Sequence, residues 1–95
     1  MTKLEHLLVI AAEECAEIQH AIAKALRFGL DDTGPEAENT NKEQIHKEFN
    51  DLLGVVRLLK GEGLGVHADG TLVQAKIDKV EQYLLYSRQQ GTLDD

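Results

Sequence analysis

The sequence predicts an all-α protein, because three amphipathic segments are separated by two breaks that contain the single proline and most of the eight glycines. Within each segment, apolar residues recur at spacings of three and four, which is the repeat of a helix with one buried face. No alternation of apolar and polar residues is long enough to predict a strand. We therefore expect a helical bundle of three to four helices, completed by oligomerisation, with residues 1–95 forming a single domain.

The first segment predicts a long helix from about Lys3 to Phe28, with Gly29 ending it. A polar loop follows over residues 30–41, where Gly34 and Pro35 interrupt the helical pattern. The predicted buried stripe of this helix consists of Leu4, Leu8, Ala11, Cys15, Ile18, Ile22 and Leu26.

The second and third segments carry shorter stripes. We expect Thr40 or Asn41 to cap the second helix, and Asp69 or Thr71 to cap the third. The second stripe is Ile45, Phe49, Leu52, Val56 and Leu59, and the third is Val73, Ile77, Val80 and Leu84. A fourth helix would come from a break in the first segment or from a partner chain, and the sequence leaves both open.

Composition narrows the function. The chain is 42% hydrophobic and 28% charged, as expected of a folded chain, and its net charge of −7 argues against non-specific nucleic-acid binding, which needs a basic face. No apolar run approaches the ~20 residues that span a bilayer. The single cysteine, Cys15, cannot form an internal disulfide, so we expect a cytoplasmic protein.

Acidic residues form two pairs with helical spacing. Glu14 and Glu17 lie one turn apart on the first helix, as Glu48 and Asp51 do on the second. At roughly 100° per residue, they lie about 60° to 130° from the centres of their stripes, all in the same rotational sense. An antiparallel hairpin would therefore bring all four carboxylates to one groove. Crowded carboxylates need a cation, and their hard oxygen ligands suit Mg²⁺, with Mn²⁺ as a possible substitute.

The motif Glu13-Glu14-x-x-Glu17 followed by Glu48-x-x-Asp51 resembles the paired signature of the all-α NTP pyrophosphatase superfamily, the MazG-like and dCTPase-like enzymes. The stretch from Lys76 to Arg88 is similar to the lysine-rich closing helix of small members, which are often encoded by phages or mobile elements. The resemblance implies magnesium-dependent hydrolysis of a nucleoside triphosphate to the monophosphate and pyrophosphate.

By this resemblance, Glu14, Glu17, Glu48 and Asp51 match the metal ligands of the family. Glu13 matches the first glutamate of the motif but projects away from the groove, which leaves it a supporting, substrate or inter-subunit role.

Three residues of the third helix, Lys76, Lys79 and Tyr83, share one flank of the helix. They are candidates for contacts with the substrate phosphates, although solvated lysines and a surface tyrosine explain the same pattern equally well.

Two alternatives compete with this hypothesis. Glu17-x-x-His20 and Glu43-x-x-His46 have the Glu-x-x-His spacing of di-iron bundles, but on the second helix that motif projects away from Glu48 and Asp51. The second alternative, from another functional class, is an acidic helical interaction module that acts through a partner protein. Whether the chain is an enzyme or an interaction module, a protein this short would expose part of its apolar stripes to solvent. We therefore expect a homo-oligomer, a dimer or a tetramer, with contacts at Leu7, Val9 and Ile10.

Overall fold

A computed structural model describes residues 1–35 and 37–94 of the chain, and every regular element in these ranges is an α-helix. Helix α1 spans Lys3–Phe28, α2 spans Asn41–Gly61 and α3 spans Gly70–Gln90. The predicted all-α class and the order of the three helices are confirmed. Glu36, inside the predicted loop, and Asp95 lie outside the described residues.

The helix starts follow from side-chain caps. Thr2 and Thr40 each form a capping box with the glutamate three residues later, Glu5 and Glu43, so that side chain and backbone satisfy each other at both helix starts. Asp69 caps α3 by accepting hydrogen bonds from the backbone amides of its first turn. Of the two caps left open for each of α2 and α3, the structure therefore selects Thr40 and Asp69.

Helices α1 and α2 pack antiparallel. At one end of the pair, the Lys3 ammonium lies 2.8 Å from the Glu62 carboxylate. At the other end, the Asn41 side-chain amide donates a hydrogen bond of 2.8 Å to the Gly29 carbonyl oxygen. Gly29 has a φ of 101°, which is accessible to glycine at low cost, so the chain can leave α1 and return along it.

The buried face of α1 differs from the predicted stripe. Of that stripe, Leu8, Cys15, Ile22 and Leu26 are exposed. The face that packs on α2 is instead formed by Leu4, Leu7, Ala11, Glu14, Ile18, Ala21 and Ala25. The predicted face was wrong by a rotation of roughly 60° about the helix axis. The apolar arc of α1 is wide enough for either of these two faces to be buried. The observed face contains more alanine, and its small side chains let α1 and α2 approach closely.

The buried face of α2 also differs from its predicted stripe, by a rotation of roughly 40° about the helix axis. Phe49, which the pattern placed in the core, is 50% exposed, whereas Val55 is buried. The packed face consists of Asn41, Ile45, Glu48, Leu52, Val55 and Leu59. Both rotations turn the carboxylates from the flank of the interface towards its centre.

The apolar core is small and lies in one half of the hairpin. Leu7 from α1 packs with Val55 and Leu59 from α2, and Leu4, Ile10 and Ala11 surround them. Leu7 therefore stabilises the hairpin itself, so the prediction that it contacts a partner subunit was wrong. Ile10 also lies against this core, whereas Val9 is 43% exposed.

Helix α3 stands apart from the hairpin. Throughout the described ranges it makes no contact with α1 or α2, and none of its residues is buried. The radius of gyration of the chain is 16.9 Å, against about 12 Å for a compact chain of this length. No helix of the described residues is both long and apolar enough to cross a membrane.

Candidate metal centre

The hairpin brings Glu14 and Glu48 into the middle of its interface. Packed positions recur every seven residues on both helices, at Leu7, Glu14 and Ala21 of α1 and at Asn41, Glu48 and Val55 of α2, and all of them are buried except Glu14, which is half-buried. Since the helices are antiparallel, Glu14 and Glu48 share the central layer. One turn beyond Glu48, Asp51 reaches the same layer.

Three carboxylates meet there. Glu14, Glu48 and Asp51 each offer an oxygen atom, and these three oxygens lie within 4.8 Å of one another. Glu48 is only 7% exposed, whereas the Asp51 side chain is 41% exposed. The cluster therefore has a buried inner side and an outer side open to solvent.

Neighbouring side chains of α2 partner the cluster. The Gln44 side-chain amide donates a hydrogen bond of 2.6 Å to Oε1 of Glu48. The Lys47 ammonium lies 2.9 Å from Oδ2 of Asp51 and 4.0 Å from Oε1 of Glu48. Gln44 thus orients the buried carboxylate, and Lys47 supplies one positive charge to the open side.

The electrostatics reflect crowding of like charges. Loss of solvation raises the pKa of Glu14 above 4.5, and the negative charges of Asp51, Glu48 and then Glu17 raise it further, while Lys47 acts in the opposite direction. The hydrogen bond to Asp51 and the charges of the cluster raise the pKa of Lys47. One lysine therefore does not neutralise the three carboxylates.

The donor set suits a hard divalent cation. Three carboxylate oxygens from two helices are the ligands that Mg²⁺ and Mn²⁺ accept, and the open side leaves room for water or phosphate oxygens. Within the described part of the chain, Cys15 is exposed, outside the cluster, and no thiolate or imidazole joins it. The residues present therefore fit magnesium better than zinc.

The other predicted ligands lie outside this cluster. Glu17 is exposed and lines a small pocket next to Glu48. Its charge reaches Glu14, whose pKa it helps to raise. Glu13 is exposed, and the described residues show no contact between it and the cluster. The geometry thus groups three of the four predicted metal ligands and leaves Glu17 at the rim.

The predicted phosphate contacts are not brought to the carboxylates. Lys76, Lys79 and Tyr83 are exposed on α3, which does not contact the hairpin in the part of the chain described. Within one chain, therefore, the third helix does not complete the site.

Glu43, the acidic residue of the rival di-iron motif on α2, has a structural role as a capping residue. Glu43 accepts hydrogen bonds from the Thr40 backbone amide, at 2.9 Å, and from the Thr40 hydroxyl, at 2.8 Å. These hydrogen bonds lower the pKa of Glu43. Glu43 therefore serves as the capping partner at the start of α2.

Sequence reasoning missed Gln44 and Lys47 as partners of the cluster. Both lie four residues before the carboxylate that they contact, so the i,i+4 rule for helices would have found them. His20, which the sequence places in the rival di-iron motif, lines the same small pocket as Glu17 and Glu48.

Comparison with known proteins gives no relative for this chain. No protein-family model matches it, and neither a curated protein nor a solved structure is significantly similar to it. The proposals below therefore depend on the site itself.

Proposed function

We propose that this protein is a magnesium-dependent nucleoside triphosphate pyrophosphohydrolase. The observation that carries the proposal is the cluster of Glu14, Glu48 and Asp51, whose oxygens lie within 4.8 Å of one another in the central layer of the hairpin. The resemblance of the acidic motifs to the all-α NTP pyrophosphatases supports the same assignment. The products are a nucleoside monophosphate and pyrophosphate, and the expected location is the cytoplasm.

The three clustered carboxylates would hold the metal, and Glu17 at the rim would complete its ligand set. When bound, Mg²⁺ or Mn²⁺ offsets the negative charge of the triphosphate. A carboxylate on the open side, Asp51 or Glu17, orients the attacking water and accepts its proton. The water oxygen bonds to the α- or the β-phosphorus as the bridging P–O bond between these two phosphorus atoms breaks, and the nucleoside monophosphate separates from pyrophosphate. Glu13 keeps a supporting role outside this set.

The partner that we propose is a second copy of this chain, in a dimer or a tetramer. Leu72, Val73 and Ile77 are respectively 69%, 51% and 43% exposed, and α3 has no packing partner among the described residues. The hairpin also exposes apolar residues, including Leu8, Val9 and Ile22. Packing of α3 against a second copy buries both surfaces, and it offers Lys76, Lys79 and Tyr83 a route to a carboxylate site.

A second candidate function is the helical interaction module, which acts through a different protein. The same unpartnered α3 favours it, because an amphipathic helix of 21 residues is a suitable surface for a partner protein. This candidate requires neither metal nor turnover, so it differs from the first in a property that can be measured.

The deciding experiment incubates the protein with the common ribonucleoside and deoxyribonucleoside triphosphates and Mg²⁺, then separates the products. We expect at least one triphosphate to give monophosphate and pyrophosphate. Glu14→Gln and Asp51→Asn should abolish turnover and keep the helical circular dichroism spectrum. Asp94→Asn, which removes the same charge from the exposed C-terminal segment, is the matched control and should keep activity.

Release of orthophosphate and a diphosphate would contradict the proposed cleavage. Absence of turnover across the whole panel, in protein that binds no Mg²⁺, would favour the interaction module instead.

A further inference from the structure

Two adjoining pockets lie between the cluster and the far end of the hairpin. The larger has a volume of about 370 Å³ and is lined by Phe28, Thr33 and Pro35, among others. The smaller, of about 100 Å³, is lined by Glu17, His20 and Gln44 together with Glu48 of the cluster. Lys24, Ala37 and Asn41 line both. We call the larger one the loop pocket.

This half of the hairpin is built from small side chains, of which Ala21 lines the smaller pocket. Its buried α1 residues are Ala21 and Ala25, where the other half has Leu7. Asn41 is 6% exposed, and its hydrogen bond to the Gly29 carbonyl holds the start of α2 against the end of α1. Residues of the loop before α2, among them Thr33 and Pro35, form the wall of the loop pocket opposite Lys24 and Phe28 of α1.

The pockets follow one line along α1. Glu17, Ala21, Lys24 and Phe28 are spaced by four, three and four residues, so they lie on one face of the helix. Seven residues separate Glu17 from Lys24, which is about 10 Å along the axis. A ligand whose one end binds a metal at the carboxylates can therefore extend past Lys24 into the loop pocket.

The loop pocket has the chemistry of a site for a flat, partly apolar group. Its volume lies in the range of small-molecule sites, about 300–1,000 Å³, and it combines an aromatic ring and a proline with a few polar groups. The Arg27 guanidinium lies over one face of the Phe28 ring, 4.7 Å from the ring centroid, in a cation–π contact. Nucleobases stack on such rings.

Lys24 lies at the junction of the two pockets and is half-buried. The ion pairs of the described residues use Lys3, Lys42 and Lys47, and none of them uses Lys24. A lysine whose ammonium pairs with no carboxylate of the described residues, between an acidic cluster and a partly apolar cavity, suits a phosphate group that bridges them.

From this arrangement we propose that the loop pocket binds the nucleoside part of a nucleotide, with the base against Phe28 and the phosphates against Lys24. This inference rests on the proposed function, because the phosphates of a bound triphosphate would then extend from Lys24 to the carboxylate site. It adds a base-recognition site, which the carboxylates cannot supply.

The test uses isothermal titration calorimetry with two kinds of probe on the purified full chain. The first kind is a panel of the common ribonucleoside and deoxyribonucleoside 5′-monophosphates, and the second is inorganic triphosphate with Mg²⁺. We expect Phe28→Ala to weaken binding of the best monophosphate by about fivefold to a hundredfold, the range for loss of a base–aromatic stack, and to leave binding of inorganic triphosphate unaffected. Lys24→Gln should weaken both kinds of probe.

Phe49→Ala and Lys60→Gln are the matched controls, since Phe49 is 50% exposed against 52% for Phe28, and neither control residue lines either of the two pockets described above. Both should bind like the wild type. Circular dichroism checks that every variant keeps its helices.

Failure of the two proposals is distinguishable. Equal binding of monophosphates by wild type and Phe28→Ala, or no binding of any monophosphate by the wild type, overturns the loop-pocket assignment even if the protein hydrolyses triphosphates. Loss of monophosphate binding in Phe28→Ala supports the assignment even in a protein that turns over nothing.

Discussion

Glu14 of α1 and Glu48 of α2 face each other in the central layer of the hairpin, with carboxylate oxygens within 4.8 Å. Leucine or valine would stabilise a two-helix interface better at these positions, because two like charges in a half-buried layer repel each other. Lys47 offsets part of this repulsion from the edge, 4.0 Å from Glu48. The layer is therefore better suited to a cation than to structural packing, and the first two predictions test this.

Magnesium should stabilise the folded protein. A ligand that binds only the folded state raises its stability by mass action, so saturating Mg²⁺ should raise the melting temperature of the wild type. The shift should largely vanish in Glu48→Gln, which removes the buried charge, and should persist in Glu81→Gln, which removes a charge from the exposed surface of α3. Differential scanning fluorimetry with and without EDTA measures it. An equal shift in the wild type and Glu48→Gln would mean that the ion binds elsewhere.

Stability of the metal-free protein should depend on Glu14 in a defined pH window. The pKa of Glu14 is about 4.5 in the unfolded chain and is raised above that in the folded state. Between the unfolded and the folded pKa, the folded protein therefore binds more protons than the unfolded chain. Stability must therefore fall as pH rises through the window. We expect Glu14→Gln to be more stable than the wild type at pH 7, and the difference to shrink as pH falls towards 4.5.

Urea unfolding in EDTA across pH 4 to 8 measures this difference. The capping carboxylate of Glu43 has a lowered pKa, so its contribution is present above pH 4.5 and is lost at more acidic pH in both proteins. Subtraction of the two curves removes that common effect. A difference that stays constant with pH would show that Glu14 is not repelled by its neighbours.

Local sequence signals predicted the helices accurately, because caps and breaks act over a few residues. Helix α1 ends at Gly29, α2 begins at the capping box of Thr40 and Glu43, and α3 begins at Asp69. Each of these signals acts through contacts within one helical turn. The pairing of Glu14 with Glu48 and Asp51 also followed from spacing, since an antiparallel hairpin fixes which levels meet.

The orientation of each helix about its axis could not be predicted in this way. On α1 the apolar residues Leu7, Leu8, Val9 and Ile10 are consecutive, so periodicity alone allows more than one buried face. The choice depends on how closely α1 and α2 approach, which Ala21 and Ala25 permit and which a single-helix pattern does not contain. The detachment of α3 and the cavity beside Lys24 are likewise tertiary properties without a local signal.

The corrected face of α1 gives a stability prediction. Leu7 is 8% exposed in the core, whereas Leu26, in the stripe expected from periodicity, is 83% exposed. Leu7→Ala should cost about 2–5 kcal/mol of the free energy of unfolding, the usual range for a buried leucine. Leu26→Ala should change it by no more than about 0.5 kcal/mol. Urea denaturation compares the two variants, and a larger loss of stability for Leu26→Ala would show that α1 buries the face predicted from periodicity.

The last prediction concerns α3 and a second copy of the chain. Ile77 and Val80 lie in its apolar stripe and are 43% and 41% exposed, with no partner on the described hairpin. Burial of such side chains contributes about 1.5–3 kcal/mol each, which is a strong drive to assemble. Ile77→Glu should therefore dissociate the oligomer, because a charge in the new interface would be desolvated without a partner.

Gln82→Glu adds the same charge about 140° away around the helix, outside the stripe, and should leave the assembly intact. Light scattering coupled to size-exclusion chromatography measures the mass of each variant against the 10.5 kDa of one chain. If the lysines of α3 serve the carboxylate site of the second copy, Ile77→Glu should lose triphosphate hydrolysis together with the oligomer. A wild type that is active as a 10.5 kDa species would instead require α3 to fold back onto its own hairpin.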